Sequence, residues 1–152
     1  SKTIGSSCRT EKIRSKNYQP GGVLSVTANS LTTKINTTEC DKYGRWTKTR
    51  FFAKNGSFSI YSVYRPNPGS LKTSGANSAW MQQYRAFCGE DAKVDPRAKL
   101  ITDLITDVKR EQAMGGSILL AGDFNEDPRD ENEDGITWLV RMNGQRYQRC
   151  TN

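Results

Sequence analysis

The sequence contains no histidine. Histidine is the side chain whose ordinary pKa lies near neutrality, so its absence excludes Ser–His and Cys–His nucleophile pairs and imidazole general bases. HExxH zinc sites are excluded for the same reason. Any catalysis by these residues must therefore use carboxylates, amides, phenols or a metal ion.

Cysteine is sparse and scattered. The four cysteines form no CxxC pair, the pattern typical of zinc knuckles and redox sites. Reduced thiols are expected, although an even count would also permit two disulfides in a secreted chain. The N-terminal stretch SKTIGSSCRTEKIRSK lacks the apolar core of a signal peptide, which predicts an intracellular protein, nuclear or cytoplasmic. The cysteines are Cys8, Cys40, Cys88 and Cys150.

Long hydrophobic runs and phosphate-binding glycine loops are also missing. Mean hydropathy is -0.76, and no apolar run approaches the roughly 18 residues of a membrane span, so none is expected. No GxxxxGK[ST], GxGxxG or GxSxG motif occurs. What the sequence has instead is positive charge, +7 from 23 basic and 16 acidic residues. Such an excess attracts polyanions and makes nucleic acid a candidate partner, the alternative being an ordinary solvated basic surface.

Turn signals and hydrophobic periodicity predict the secondary structure. Asn55-Gly56 lies between two β-rich runs and predicts a hairpin with strands over 45–53 and 57–64. Helical spacing of apolar residues predicts a helix over 77–88. A second helix is predicted from Asp95-Pro96, a capping residue followed by a first-turn proline, to Gly115-Gly116.

Other segments carry weaker signals. A strand is predicted over 22–28 and a short helix over 135–142, whereas 29–42 reads mostly as loop and 1–20 as poorly ordered. The apolar run SILLAG predicts a strand covered on both faces. The order of elements predicts a mixed β-sheet with flanking helices, of the α/β (α+β) class, in a single domain over 1–152.

The sharpest functional signal is SILLAGDFNEDPRD, in which the apolar strand stops at polar residues. Strand alternation places Asp123 and Asn125 on one side, with Phe124 opposite. A carboxylate there would hold Mg²⁺ or orient water, and a carboxamide would donate to a phosphoryl oxygen. The alternative is a simple turn cap. A calcium loop is rejected because Pro128 stands where that loop needs glycine.

Together these motifs resemble the endonuclease/exonuclease/phosphatase superfamily, which includes deoxyribonuclease I and retrotransposon-type endonucleases. The resemblance implies part of a four-layer α/β sandwich and a phosphodiesterase that uses Mg²⁺ (or Mn²⁺) and acts on DNA or RNA. The matching elements, in chain order, are QPGGVLSV, GRWTKTRFF, FSIYSVYRPN, the two predicted helices, ILLAGDFN and DGITWLVRMNG.

The resemblance also implies roles for individual residues. Asp123 would orient or activate the attacking water, and Asn125 would contact the scissile phosphate or the metal, so both are candidate metal ligands. Tyr64 would donate its phenolic hydrogen to the phosphate, with Asn67 beside it. Charge alone makes three arginines candidate phosphate contacts, namely Arg45, Arg50 and Arg65.

The chain departs from the family pattern at two points. No strand ending in Gln-Glu precedes Gly21, and the late Ser-Asp-His segment has no counterpart. The simplest interpretation is an internal portion of the domain that is incomplete or inactive by itself. Three alternatives stay open: a non-catalytic nucleic-acid-binding remnant, a truncated product without function, and a phosphatase or phospholipase of the same superfamily. No protein partner is indicated.

Overall fold

The hairpin predicted around positions 55 and 56 forms the centre of the fold in a computed structural model of the protein, which describes residues 1–6, 21–54, 56–87 and 94–126. A 3₁₀ turn at Asn29–Lys34 separates the second and third strands. The strands are β1 (Lys2–Ser6), β2 (Val23–Thr27), β3 (Ile35–Cys40), β4 (Trp46–Ala53), β5 (Gly56–Tyr64) and β6 (Ser117–Asp123), and the helices are α1 (Ala79–Phe87) and α2 (Pro96–Ala113).

The strands form two sheets. Four of them lie in the order β3-β4-β5-β6, in which β5 pairs antiparallel with β4 and parallel with β6. β1 and β2 form a separate antiparallel pair. The predicted mixed sheet with flanking helices, of the α+β class, is confirmed.

The two faces of the four-stranded sheet have different neighbours. On one face, Tyr61 and Val63 pack in a cluster with the apolar stripe of α2. On the other face, Ser25 of β2 lies 2.6 Å from the Thr47 hydroxyl and donates to Ser62 at 2.9 Å. Helices, four-stranded sheet and two-stranded sheet therefore form three successive layers.

Helix α2 positions the sheet's carboxyl edge. Its predicted start is confirmed, because the Asp95 carboxylate accepts hydrogen bonds from the backbone N–H groups of Arg97 and Ala98 and Pro96 occupies the first turn. Its buried stripe packs against the sheet, and burial of each such side chain stabilises the fold by about 1.5–3 kcal/mol. The stripe is Leu100, Ile101, Leu104, Ile105 and Val108.

Three elements differ from expectation. β1 lies in a segment predicted to be poorly ordered, and β3 lies in one predicted to be loop; both are short and polar, and they form because a neighbouring strand supplies hydrogen-bond partners. In the described structure β6 is covered on one face only, since Ile118 packs on the core whereas Leu119 is 47% exposed. The helix predicted over 135–142 lies outside the described residues, as do all the cysteines except Cys40.

Neither α1 nor α2, the two α-helices of the described residues, combines the length and apolarity needed to cross a membrane.

Candidate active site

The parallel pairing of β5 and β6 brings two predicted site residues side by side. Both strands end at the same edge of the sheet, and the register pairs Tyr64 with Asp123. Register partners in a sheet point to the same face. The Tyr64 ring is half-buried and lies beside Gly21, where an added Cβ would stand 3.5 Å from the ring, whereas Asp123 is exposed.

The turn after β6 fixes Asn125 next to this pair. The Asp123 carboxylate accepts a hydrogen bond from the Asn125 backbone N–H at 3.0 Å, and Asn125 adopts a left-handed conformation with φ of 48°, which asparagine tolerates. Its side-chain nitrogen donates to the Arg65 carbonyl at 2.6 Å. Phe124, between them, packs against the core. One side-chain amide hydrogen and the side-chain oxygen of Asn125 remain for a ligand.

Arg65 and Asn67 both lie in the loop that follows β5. Asn67 is exposed. Arg65 is not, because its guanidinium forms an ion pair with the Glu126 carboxylate in which both side chains are only 5% exposed. The Arg65 backbone N–H also donates to the Asp123 carbonyl at 2.8 Å. Arg65 therefore adjoins the site and ties its two loops together, with its charge turned towards Glu126.

Arg45 lies elsewhere, on the helix side of the sheet. Its guanidinium is 2% exposed and pairs with Asp41 at 2.7 Å and Asp103 at 2.8 Å. It also stacks over the Trp46 ring, 4.6 Å from the centroid. Because these carboxylates and rings enclose the positive charge, we leave Arg45 out of the proposed site. Arg50 is left out too, since its guanidinium bonds the Ser57 hydroxyl.

Two side-chain oxygens at this edge could contribute to a metal site. The exposed Asp123 carboxylate and the Asn125 side-chain oxygen are hard ligands of the kind that Mg²⁺ prefers, and Mg²⁺ commonly takes one or two carboxylates, with water and substrate phosphate completing its shell. Glu126 is committed to Arg65. Within the described ranges, no cluster of three or more acidic or cysteine side chains could hold a metal ion. The residues present fit a substrate-completed site.

Sequence reasoning missed a buried charge network on the opposite face. The Lys48 side chain is 1% exposed, and its amine pairs with Glu39 at 2.9 Å and with Asp107 and Glu111 at 3.1 Å each. Tyr61 donates to Asp107 at 2.6 Å. The signal that could have found it is the spacing of Asp103, Asp107 and Glu111, which recur every fourth residue along one face of α2.

This network shifts three pKa values. Burial alone would lower the pKa of Lys48, but hydrogen bonds to Glu39, Asp107 and Glu111 raise it. Burial alone would raise the pKa of Glu111, but hydrogen bonds from Ser59 and Lys48 lower it. Burial and the bond to Asp107 raise the pKa of Tyr61. The shifts favour charged Lys48, charged Glu111 and neutral Tyr61, which are the forms that make these hydrogen bonds. We therefore assign the network a structural role.

No protein-family model matches the chain, and no curated protein matches it either. The resemblance therefore rests on the motifs and on where the fold places them.

Proposed function

We propose that the edge formed by β5 and β6 is the active site of a Mg²⁺-dependent phosphodiesterase that acts on nucleic acid. The observation that supports this most directly is the register of the parallel strands, which makes Tyr64 and Asp123 neighbours. The bond from Asn125 to the Arg65 carbonyl then holds a carboxamide beside them. A carboxylate, a phenol and a carboxamide at one edge could orient water and donate hydrogen bonds to a phosphate without histidine.

Each side chain has a role in this proposal. Asp123, exposed at the strand end, orients the attacking water. Tyr64 donates its phenolic hydrogen to a phosphate oxygen, and the remaining amide hydrogen of Asn125 does the same. Asn67, exposed in the neighbouring loop, is a further candidate contact to the phosphate. A bound Mg²⁺, held by Asp123 and the Asn125 side-chain oxygen, would offset charge on the phosphate and the leaving oxygen.

Nucleic acid is the proposed substrate because of the charge of the chain. A net charge of +7 raises the local concentration of polyanions. Binding that relies on phosphate contacts weakens steeply with salt, by roughly 10³–10⁵ between 50 and 200 mM for 6–10 contacts.

The test is nicking of supercoiled plasmid by the purified chain with Mg²⁺ or Mn²⁺, with EDTA as the metal-free control and a single-stranded RNA in parallel. Metal-dependent nicking is expected, and Asp123→Asn should lower it by roughly 10² or more. The control is Glu39→Gln, which removes the same charge from an exposed carboxylate on β3, the opposite edge of the sheet. Because Glu39 also pairs with Lys48, the folded fraction of both variants is measured by urea denaturation before their nicking is compared. Equal losses in both variants would count against the site.

A second candidate function is binding of nucleic acid without cleavage. The observation that favours it is the pairing of Glu126 with Arg65, which leaves Asp123 as the exposed carboxylate of the described edge. Fluorescence anisotropy with a labelled oligonucleotide distinguishes the two. Salt-sensitive binding together with no nicking in either metal would select the binding function and reject the phosphodiesterase.

A further inference from the structure

The loops after β5 and β6 are joined by Arg97, an arginine that the sequence did not single out. Arg97 lies in the first turn of α2 and is 7% exposed. A single guanidinium nitrogen, Nη1, donates to the Pro66 carbonyl at 2.7 Å and to the Asn125 carbonyl at 3.2 Å. One loop carries Tyr64 and Asn67 at its ends, and the other carries Asp123 and Asn125.

The base of this contact is rigid. Asp95 caps the helix by accepting from the backbone N–H of Arg97 itself, and the following turns are anchored in the core by Leu100 and Ile101. A side chain fixed in the first turn of such a helix holds its guanidinium in a constant position relative to the sheet. The two carbonyls are therefore tied to α2 as well as to each other.

The contact acts on a residue with an unusual, left-handed backbone conformation. Asn125 has a φ of 48°, and its only other anchors in the described structure are the bonds to Asp123 and to the Arg65 carbonyl. The first of those bonds holds its backbone N–H, and the second sets the direction of its side chain. The Arg97 bond fixes its carbonyl, and so completes the orientation of the carboxamide that faces the phosphate in the proposed mechanism.

We propose that Arg97 is a positioning residue of this site: by bonding the Pro66 and Asn125 carbonyls it holds Asn125 in a fixed position beside Tyr64 and Asp123. The expected effect of Arg97 on nicking rests on the proposed function. Its joining of the two loops rests on the two hydrogen bonds alone. Arg97 is covered by protein and does not contact substrate.

The test compares Arg97→Met, which keeps the length of the stem and removes every donor, with Arg97→Lys, whose amine can replace the two bonds made by one nitrogen. For Mg²⁺-dependent nicking, Arg97→Met should lower kcat by roughly 10- to 100-fold with KM changed less than about threefold, because displacement by about 1 Å has that effect on a positioned group. Arg97→Lys should retain most of the activity. Arg45→Met, which removes a buried arginine that pairs with Asp103 of α2 but lies outside the proposed site, should lower the denaturation midpoint and leave kcat unchanged.

Amide hydrogen exchange separates this inference from the proposed function. In Arg97→Met the Arg65 N–H, which bonds the Asp123 carbonyl, should exchange about tenfold faster or more, while amides of the β4–β5 ladder keep their rates. Unchanged exchange at Arg65, or an Arg97→Lys variant no better than Arg97→Met, would overturn the role of Arg97. If the unmodified chain does not nick, the phosphodiesterase fails, and exchange at Arg65 alone then decides whether Arg97 joins the loops.

Discussion

At the scale of single residues, β5 offers an internal comparison between two tyrosines. The Tyr61 hydroxyl points to α2 and donates to the Asp107 carboxylate at 2.6 Å. Tyr64 points to the other face, where its register partner is Asp123. The same functional group thus has a structural role on one face and, in our proposal, a chemical role on the other.

Removing each hydroxyl should therefore have opposite effects. Tyr61→Phe removes the phenolic donor to the Asp107 carboxylate, which keeps its bonds from Lys48 and Arg110. We therefore expect the free energy of unfolding to fall by about 1–3 kcal/mol with nicking retained. Tyr64→Phe removes the proposed donor to the phosphate, so we expect nicking to fall by roughly 10²-fold. Urea denaturation and plasmid nicking of both variants check this. A Tyr64→Phe enzyme with full activity would remove that residue from the mechanism.

Residue identities at the candidate site could be predicted from sequence, but their bonding could not. Asp123 and Asn125 follow an apolar strand, which is a local signal. One hydrogen of the Asn125 side-chain amide bonds the Arg65 carbonyl, and this partner lies 60 positions away in the sequence. The burial of Arg45 is likewise set by Asp103 on α2, so a charge that looked available for phosphate proved to be enclosed.

At the scale of elements, the pairing of β5 with β6 depends on a glycine. Gly122 has a φ of 150°, and a Cβ there would stand 1.9 Å from the Val63 carbonyl oxygen. Any side chain at this position must push the two strands apart at the residue before Asp123. The glycine of the GDFN motif is thus required by packing, independently of chemistry.

Gly122→Ala should consequently destabilise the protein. The backbone conformation alone costs about 1–3 kcal/mol for a non-glycine residue, and the contact with Val63 adds to it. Gly75→Ala is the matched control, because nothing lies within 4 Å of a Cβ at that exposed position, and its stability should change little. Urea denaturation measures both; equal midpoints for the two variants would contradict the close approach seen here.

Elements with strong local signals were predicted within a few residues, and those without were missed. The hairpin followed from its turn, and α2 followed from Asp95, Pro96 and its apolar stripe. β3 was not predicted because INTTEC has neither alternation nor an apolar face; its strand conformation comes from pairing with β4, for example Thr38 with Thr49. Such pairing is a property of the assembled sheet and leaves little trace in the segment itself.

At the scale of the whole molecule, the buried network predicts how stability varies with pH. Glu111 has an ordinary pKa of 4.5 that is lowered in the folded state. A lowered folded pKa contributes stability above the ordinary value and loses it as pH falls. Lys48 and Tyr61, with ordinary pKa values of 10.5 and 10.0, are raised, so their contributions are present at neutral pH and disappear as pH rises above about 10.

We therefore expect a stability plateau near neutrality with losses below about pH 4.5 and above about pH 10. In Glu111→Gln the free energy of unfolding should fall less steeply as the pH decreases. The change in slope should correspond to at most about one bound proton. The groups facing Glu111 are Lys48, Arg50 and Ser59. Urea denaturation from pH 3 to 11 checks both limbs. An identical acidic slope in the variant would show that other carboxylates set it.

The parallel pairing of β5 with β6 has a consequence for the order of folding. The β4–β5 hairpin closes locally, with Ala53 opposite Gly56, whereas β6 reaches β5 only after both helices have been crossed. Non-local pairings form slowly because the entropy of closing the intervening loop must be overcome first. We therefore expect Tyr64 and Asp123 to meet only after the hairpin has closed, so that the proposed site is assembled late in folding.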